Sequence, residues 1–182
     1  RRIGDRRRRN GALSDLERFL HATDLPLLVQ LAVAHYQFEV IHPFLDGNGR
    51  IGRLMIPLML VLREALPQPL LYLSAFLEQH RSEYYDHLLL TSQKGDLMPW
   101  IAFFLRGVRQ QSRDSEERTV RLVELQHQLR NELLDEGRPN SVVRLAEQLF
   151  AVPLVTAPRV EAAIGVTRPT AQAAIDALVE RG

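Results

Sequence analysis

The segment that decides how this chain folds reads His42-Pro43-Phe44-Leu45-Asp46-Gly47-Asn48-Gly49-Arg50-Ile51-Gly52-Arg53. Gly47, Asn48 and Gly49 are residue types that adopt positive φ at low cost, so successive backbone N–H groups there can converge on an anion. Helix-compatible residues follow from Arg50 onward, and the N-terminus of a helix carries a partial positive charge. The segment therefore predicts a helix that begins at an anion-binding loop.

Four charged or titratable side chains complete this predicted anion site. Arg50 and Arg53 are spaced i, i+3, so both guanidinium groups extend from the first helical turn, where their planar forks suit phosphate oxygens. Asp46 offers one hard oxygen ligand, which Mg²⁺ accepts when phosphates supply the others. His42 stands just before the loop, and imidazole titrates near neutral pH, as a general base requires. A glycine-rich turn that merely ends a helix would explain the glycines but none of these side chains.

This segment resembles the signature of the Fic family, His-x-Phe-x-(Asp/Glu)-Gly-Asn-Gly-Arg-x-x-Arg, and agrees with it at every defined position. The flanking residues 34–41, 70–76 and 81–85 are also similar to family segments. The resemblance implies a mainly α fold, with a Fic-type helical bundle followed by a small helix-turn-helix/winged-helix domain. The implied divisions are a Fic domain at 1–110 with its core at about 13–110, a linker helix at 111–138, and the helix-turn-helix at 139–182.

Most Fic proteins transfer AMP from ATP to a hydroxyl side chain of a target protein. The resemblance therefore implies a Mg²⁺- and ATP-dependent protein adenylyltransferase that releases pyrophosphate. His42 would be catalytic and would deprotonate the target's Ser, Thr or Tyr hydroxyl, while Asp46 would hold the Mg²⁺ that bridges the α- and β-phosphates. Phe44 would be the buried anchor of the loop. The implied nucleotide-binding residues are Asp46, Gly47, Asn48, Gly49, Arg50 (on the leaving pyrophosphate), Ile51, Gly52, Arg53 (on the γ-phosphate) and Tyr84.

Two positions bear on how the nucleotide would be held. The related Doc kinases carry lysine where this chain has Gly49, and they bind the nucleotide reversed and transfer its γ-phosphate, so Gly49 favours AMP transfer. The family places the first tyrosine of the pair Tyr84-Tyr85 against the nucleotide; alternatively, both tyrosines only pack an amphipathic helix. His35 is expected to be a buried, hydrogen-bonded support. The remaining histidines show no partner pattern and are expected at the surface or in helix packing: His21, His80, His87 and His127.

Apolar periodicity predicts a chain dominated by helices. Asp24 is a candidate N-cap, with Pro26 in the first turn that follows. The longest apolar run, residues 54–62, predicts a fully buried central helix. One expected helix covers residues 24–38, and a second follows the glycine-rich loop and ends at about residue 65. Further helices are expected at residues 75–90, 99–134, 141–150, 157–164 and 169–181.

Composition excludes several other classes of protein. The 182 residues are 46% apolar, which is enough for a buried core, and the absence of cysteine excludes disulfide frameworks and thiolate metal sites. No apolar run approaches the ~20 residues of a membrane span. No signal peptide is recognisable, so no membrane partner is expected and the expected location is the cytoplasm. Because Arg1 is not preceded by Met, we expect a fragment or further upstream residues.

The N-terminal residues carry two further expectations. The run Arg6-Arg7-Arg8-Arg9 could suggest a nucleic-acid arm, but a single lysine among 23 basic residues makes arginine bias the simpler cause. Fic proteins normally carry a β-hairpin flap before the helix at residues 16–20, where it docks the target's backbone. Only residues 6–11 occupy that position, too few for a hairpin. Either the flap is reduced, or the sequence lacks a loop at this point, and we favour the second interpretation. The inhibitory Fic helix is expected upstream of Arg1.

Residues 141–182 resemble a winged helix-turn-helix that is cut off at Gly182 before the wing. Four arginines and four acidic residues give this segment no net charge, whereas a DNA-reading surface needs a basic face. We therefore expect a protein contact or a homodimer there, with ATP and a hydroxyl-bearing protein as the main partners. The alternative function is a DNA-binding transcriptional regulator whose Fic domain senses a nucleotide.

Overall fold

The computed structural model describes residues 3–181, and side chains from residue 10 onward. Every regular element in this part of the chain is a helix, which confirms the mainly α prediction. Among the described residues, no helix is long and apolar enough to cross a membrane. The helices are α1 (Ile3–His21), α2 (Leu27–Ile41), α3 (Asn48–Leu62), α4 (Leu73–Gln79), α5 (Arg81–Lys94), α6 (Met98–Asp135), α7 (Asn140–Leu149), α8 (Ala157–Ile164) and α9 (Arg168–Arg181).

The chain divides into two compact units, Arg1–Ser115 and Glu116–Gly182. In the first unit α2 packs against both α1 and α3, and a core that includes Leu31, Phe76 and Trp100 holds the helices together. In the second unit α7, α8 and α9 pack on one another around a separate apolar core. No strand lies within residues 3–181, so the helix-turn-helix interpretation rests on helices alone. The partition at 110 and 138 stays a prediction.

Three local predictions differ from the structure. Asp24 lies in a bend, and α2 begins at Leu27 after Pro26, whose side chain makes no capping hydrogen bond. The single helix expected at 75–90 is two helices, α4 and α5, because His80 adopts a non-helical conformation between them. Residues 6–11, the position expected for the flap, lie inside an uninterrupted α1. The side chains of the arginine run lie outside the described residues.

The apolar run at 54–62 does not form a fully buried helix, so that prediction is wrong. Ile56 and Leu60 are buried, whereas Leu54, Leu58 and Leu62 are exposed. The two sets are each spaced by four residues and lie on different faces of α3. Only the face that carries Gly52, Ile56 and Leu60 packs into the first unit, and a run of apolar letters alone does not reveal this sidedness.

Candidate active site

The loop between α2 and α3 is closed by the side chain of Asn48. Its Oδ1 accepts a hydrogen bond from the Phe44 N–H and its Nδ2 donates to the Phe44 carbonyl, both at 2.8 Å. Asn48 is buried, whereas Phe44 is 48% exposed, with its ring centroid 6.4 Å from that of Phe38. The predicted anchor role of Phe44 is therefore wrong. Both backbone groups of Phe44 are bonded to the amide, so the loop is held without burying the aromatic ring.

The start of α3 presents backbone donors to this loop. Gly47 has a φ of +83° and forms the N-cap, and the first helical hydrogen bond runs from the Ile51 N–H to the Gly47 carbonyl. The N–H groups of Asn48, Gly49 and Arg50 precede that bond and have no acceptor within the helix. No acidic residue lies in the first turn of α3 to oppose an incoming anion. The geometry therefore suits an anion.

One pocket brings together most of the predicted site residues. It is lined by His42, Leu45, Asp46, Gly47, Asn48, Gly49, Arg50 and Arg53. Ile51 is partly exposed but does not line this pocket. Gly52 is buried against α2, where its carbonyl accepts a hydrogen bond from His35. The loop and the two arginines thus converge as the sequence predicts, while Gly52 serves packing.

A second pocket adjoins the first and shares Arg53 with it. Tyr84 lines this second pocket, but it is only 5% exposed and belongs to the core, whereas Tyr85 is 54% exposed. The Arg81 guanidinium lies over the Tyr85 ring at 5.9 Å. The lining residues are Arg53, Leu77, Glu78, Arg81, Tyr84 and Tyr85. Arg81 was missed in the sequence, and Tyr85 was considered only as a packing residue, although their i, i+4 spacing was an available signal.

Asp46 and Arg50 form an exposed ion pair at 3.3 Å, and the same carboxylate accepts the Gly47 N–H at 2.7 Å. A metal ion at Asp46 would compete with Arg50 for this carboxylate. Among the side chains of residues 10–181, no group of three or more His, Asp or Glu could hold a metal ion. A single exposed carboxylate beside an anion site nevertheless fits Mg²⁺ that is ligated mainly by phosphates.

His42 ends α2 in a left-handed conformation, with φ +48°. A non-glycine residue in this region carries backbone strain, which is typical of functional positions. Its Nδ1 lies 3.4 Å from the Glu39 carbonyl oxygen. Because a carbonyl can only accept, the neutral ring carries its proton on Nδ1, and Nε2 keeps the lone pair that a base needs.

Glu39 is a further carboxylate at this site that sequence reasoning missed. Its Oε1 is buried and has no hydrogen-bond partner among the described residues. Burial raises the pKa of the Glu39 carboxyl, and the nearby charges of His42 and Arg53 oppose that rise. Any side chain at position 52 of α3 would crowd this carboxylate, since a Cβ on Gly52 would stand 2.7 Å from Oε1. The lack of a side chain at Gly52 therefore leaves the space that the Glu39 carboxylate occupies.

Replacing Gly52 with alanine is expected to lower the free energy of unfolding by about 2 kcal/mol, as overpacking typically does. The added Cβ would stand 2.7 Å from Glu39 Oε1, 3.0 Å from Phe38 Cδ1 and 3.3 Å from His35 Cε1. Urea unfolding measures the change. Gly11→Ala is the matched control, because a Cβ at Gly11 meets no atom within 4 Å and alanine favours a helix. Equal stability of the two variants would contradict the packing role of Gly52.

Two of the histidines that were expected at the surface or in helix packing, His80 and His87, flank Glu83. Their ring nitrogens lie 3.8 and 3.6 Å from its carboxylate oxygens. Arg106 donates to the same carboxylate at 2.5 Å, and this hydrogen bond lowers the pKa of Glu83. Both histidine rings also pack on phenylalanine rings, His80 on Phe76 and His87 on Phe103, as expected for residues in helix packing. Sequence reasoning missed only their common neighbour Glu83, although it lies at the local spacings i, i+3 and i, i+4.

The sequence model of the Fic/DOC family matches residues 5–60. A protein adenylyltransferase Fic of Aedes aegypti is 35% identical over 116 residues, which cover 59% of this chain and 20% of the relative. That of Culex quinquefasciatus is 40% identical over 72 residues, which cover 40% of this chain and 13% of the relative. That of Drosophila virilis is 37% identical over 83 residues, which cover 46% of this chain and 16% of the relative. The chain thus spans about a fifth or less of the length of these relatives.

The crystal structure of a Fic family protein from Desulfovibrio desulfuricans G20 is similar with a TM-score of 0.59 and 27% sequence identity. The similarity covers 91% of this chain and 46% of that chain. Residues 5–60 include the loop and α2, together with most of α3. The part of the chain that holds the candidate site is therefore similar in sequence to the Fic/DOC family, and its helical fold is similar to that of a solved Fic family protein.

Proposed function

We propose that the protein is an adenylyltransferase that transfers AMP from ATP to a Ser, Thr or Tyr hydroxyl of a target protein and releases pyrophosphate. The observation that carries the proposal is the pocket in which His42, the N-terminus of α3, Arg50 and Arg53 converge. The relatives named protein adenylyltransferase Fic support the same reaction. A cytoplasmic location is part of the proposal.

Each group at the pocket has one role in this reaction. His42 accepts the proton of the target hydroxyl at Nε2, and the hydroxyl oxygen attacks the α-phosphorus as the bond to pyrophosphate breaks. The N–H groups at the start of α3 hold phosphate oxygens, with Arg50 on the leaving pyrophosphate and Arg53 on the γ-phosphate. Positioning and charge neutralisation supply most of the rate, because the protein forms no covalent bond to the nucleotide.

Asp46 is the residue that would hold Mg²⁺, with the phosphates as the other ligands. When bound, the ion neutralises phosphate charge and orients the triphosphate. With Asp46 given to the ion, the Arg50 guanidinium that now pairs with this carboxylate would be available to a phosphate oxygen.

Gly49 supports transfer of AMP rather than of the γ-phosphate. A Cβ at this position would lie 3.0 Å from Nη1 of Arg53. A lysine side chain there would therefore displace the guanidinium that this proposal assigns to the γ-phosphate. Because Gly49 has no side chain, Arg53 can line both pockets.

The test uses ATP labelled at different phosphates. Incubation with α-³²P ATP and cell extract is expected to label protein, whereas γ-³²P ATP is expected to give no label that depends on this protein. Labelled bands are read by gel autoradiography, and mass spectrometry identifies the modified hydroxyl. Label from the γ-phosphate alone would show a kinase-like reaction and the reversed nucleotide pose.

A further inference from the structure

A buried histidine on α2 joins two elements of the candidate site. His35 is fully buried, and its two ring nitrogens are both bonded. Nδ1 lies 3.1 Å from the Gly52 carbonyl oxygen on α3, and Nε2 lies 3.1 Å from the Tyr84 hydroxyl on α5. The ring also stacks on Trp100 with a centroid distance of 5.9 Å. His35 therefore connects the helix that carries Arg53 to the helix that carries the wall of the second pocket.

The direction of both hydrogen bonds follows from the partners. The Gly52 carbonyl can only accept, so Nδ1 carries the proton and donates it. Nε2 of the neutral ring must then accept, so the Tyr84 hydroxyl donates to it. Burial lowers the pKa of His35 to about 4, which keeps the ring neutral near pH 7 and preserves this direction.

This arrangement limits what Tyr84 can offer a nucleotide. Its hydroxyl proton is already donated to His35, and its ring lines the pocket beside Arg53. At the other end of the chain of bonds, Gly52 directly precedes Arg53 in α3. A shift of His35 would therefore move both the Tyr84 ring, which lines the second pocket, and the backbone that positions Arg53.

We propose that His35 is a positioning residue for nucleotide binding. It holds Tyr84 and the turn of α3 that carries Arg53 in fixed positions relative to each other. Tyr84 then contributes the position of its ring and does not donate a hydrogen bond to the nucleotide. This inference rests on the proposed function. It differs from a purely structural role because it assigns His35 an effect on ATP affinity. It also predicts that Tyr84 and His35 act as one unit.

The test is a double-mutant cycle with Tyr84→Phe and His35→Asn. Tyr84→Phe keeps the ring but leaves Nε2 of His35 without its donor, and the side chain of asparagine is too short to reach Tyr84. Each variant is expected to raise the KM for ATP about threefold to tenfold with kcat changed less than about twofold. The double variant is expected to match the larger single effect, because coupled groups are not additive.

Tyr36→Phe is the matched control. Tyr36 is also buried in the first unit, and its hydroxyl bonds the Ser92 hydroxyl at 3.1 Å. This bond also joins α2 to α5, but unlike the His35–Tyr84 bond it is not linked through His35 to α3. Tyr36→Phe is expected to lose about as much thermal stability as Tyr84→Phe, since each variant loses one hydroxyl hydrogen bond. Its KM for ATP is expected to stay within about twofold of the original value. An equal rise in KM for Tyr36→Phe would reduce His35 and Tyr84 to ordinary core residues and overturn the proposal.

Two readouts do not depend on AMP transfer. The ¹⁵N spectrum is expected to show His35 protonated at Nδ1 and to show its Nε2 resonance shifted in Tyr84→Phe, which decides the network even if His35→Asn fails to fold. Calorimetry with ATP gives affinity directly in the His42→Ala background. ATP binding by the original protein without any AMP transfer would refute the proposed reaction alone. A Tyr84→Phe protein with unchanged ATP affinity, or effects that multiply in the double variant, would refute the positioning role.

Discussion

Replacing His42 with alanine is expected to slow AMP transfer by about two to four orders of magnitude, the usual contribution of a general base. ATP affinity is expected to change less than about threefold, because the phosphate donors of the α3 N-terminus and of Arg50 and Arg53 remain in place. The structure explains this separation. His42 belongs to the end of α2, whereas the phosphate donors belong to the start of α3.

Transfer is measured as incorporation of α-³²P label into protein, and affinity by calorimetry with ATP. His127→Ala is a suitable control, because His127 is exposed on α6 in the second unit and lines neither pocket of the candidate site. Transfer that persists in His42→Ala would refute the base role. A loss of ATP binding as large as the loss of transfer would show instead that His42 holds the loop in shape.

The chemistry of the loop was predictable from sequence because its residues are close together in the chain. Gly47, Asn48 and Arg53 lie within seven residues, so turn preferences and helical spacing already place their donors side by side. The second pocket depends on α5, which begins about thirty residues after the loop, and only the tertiary fold brings Tyr84 and Arg81 beside Arg53. The resemblance to the Fic family indicated Tyr84 as a nucleotide contact, but it could not reveal that the Tyr84 hydroxyl is bonded to His35.

The errors of sequence reasoning have a common physical cause. Phe44 was expected to be buried because it is apolar, yet the hydrogen bonds of Asn48 hold the loop. Residues 54–62 were expected to be buried on all sides for the same reason, yet Leu54, Leu58 and Leu62 are exposed. Glu39 was overlooked because a charged residue in a helix usually faces solvent. Apolar or polar character is a preference for burial, and the packing of neighbouring helices decides the outcome.

The protein is also expected to lose stability as the pH falls from neutral, because of His35. Burial lowers the pKa of His35 from its ordinary value of 6.5 to about 4 in the folded state, and its fixed hydrogen bonds leave no room for a second ring proton. Between these two pKa values the unfolded chain binds a proton that the folded protein does not. The stability contributed by the neutral ring is thus complete above pH 6.5 and is lost progressively as the pH falls toward 4.

Between pH 7 and about pH 4.5 this linkage is expected to lower the free energy of unfolding by roughly 2 kcal/mol. Glu39 acts in the opposite direction, because burial raises the pKa of its carboxyl and the folded protein then takes up a proton more readily on acidification. The effect of His35 is therefore isolated as the difference between the original protein and His35→Asn, each unfolded with urea at both pH values. The variant is expected to be less stable at pH 7 but to lose roughly 2 kcal/mol less on acidification, since asparagine does not titrate. Parallel pH dependence in the two proteins would show that His35 is protonated in the fold, and that the Tyr84 hydroxyl cannot be donating to it.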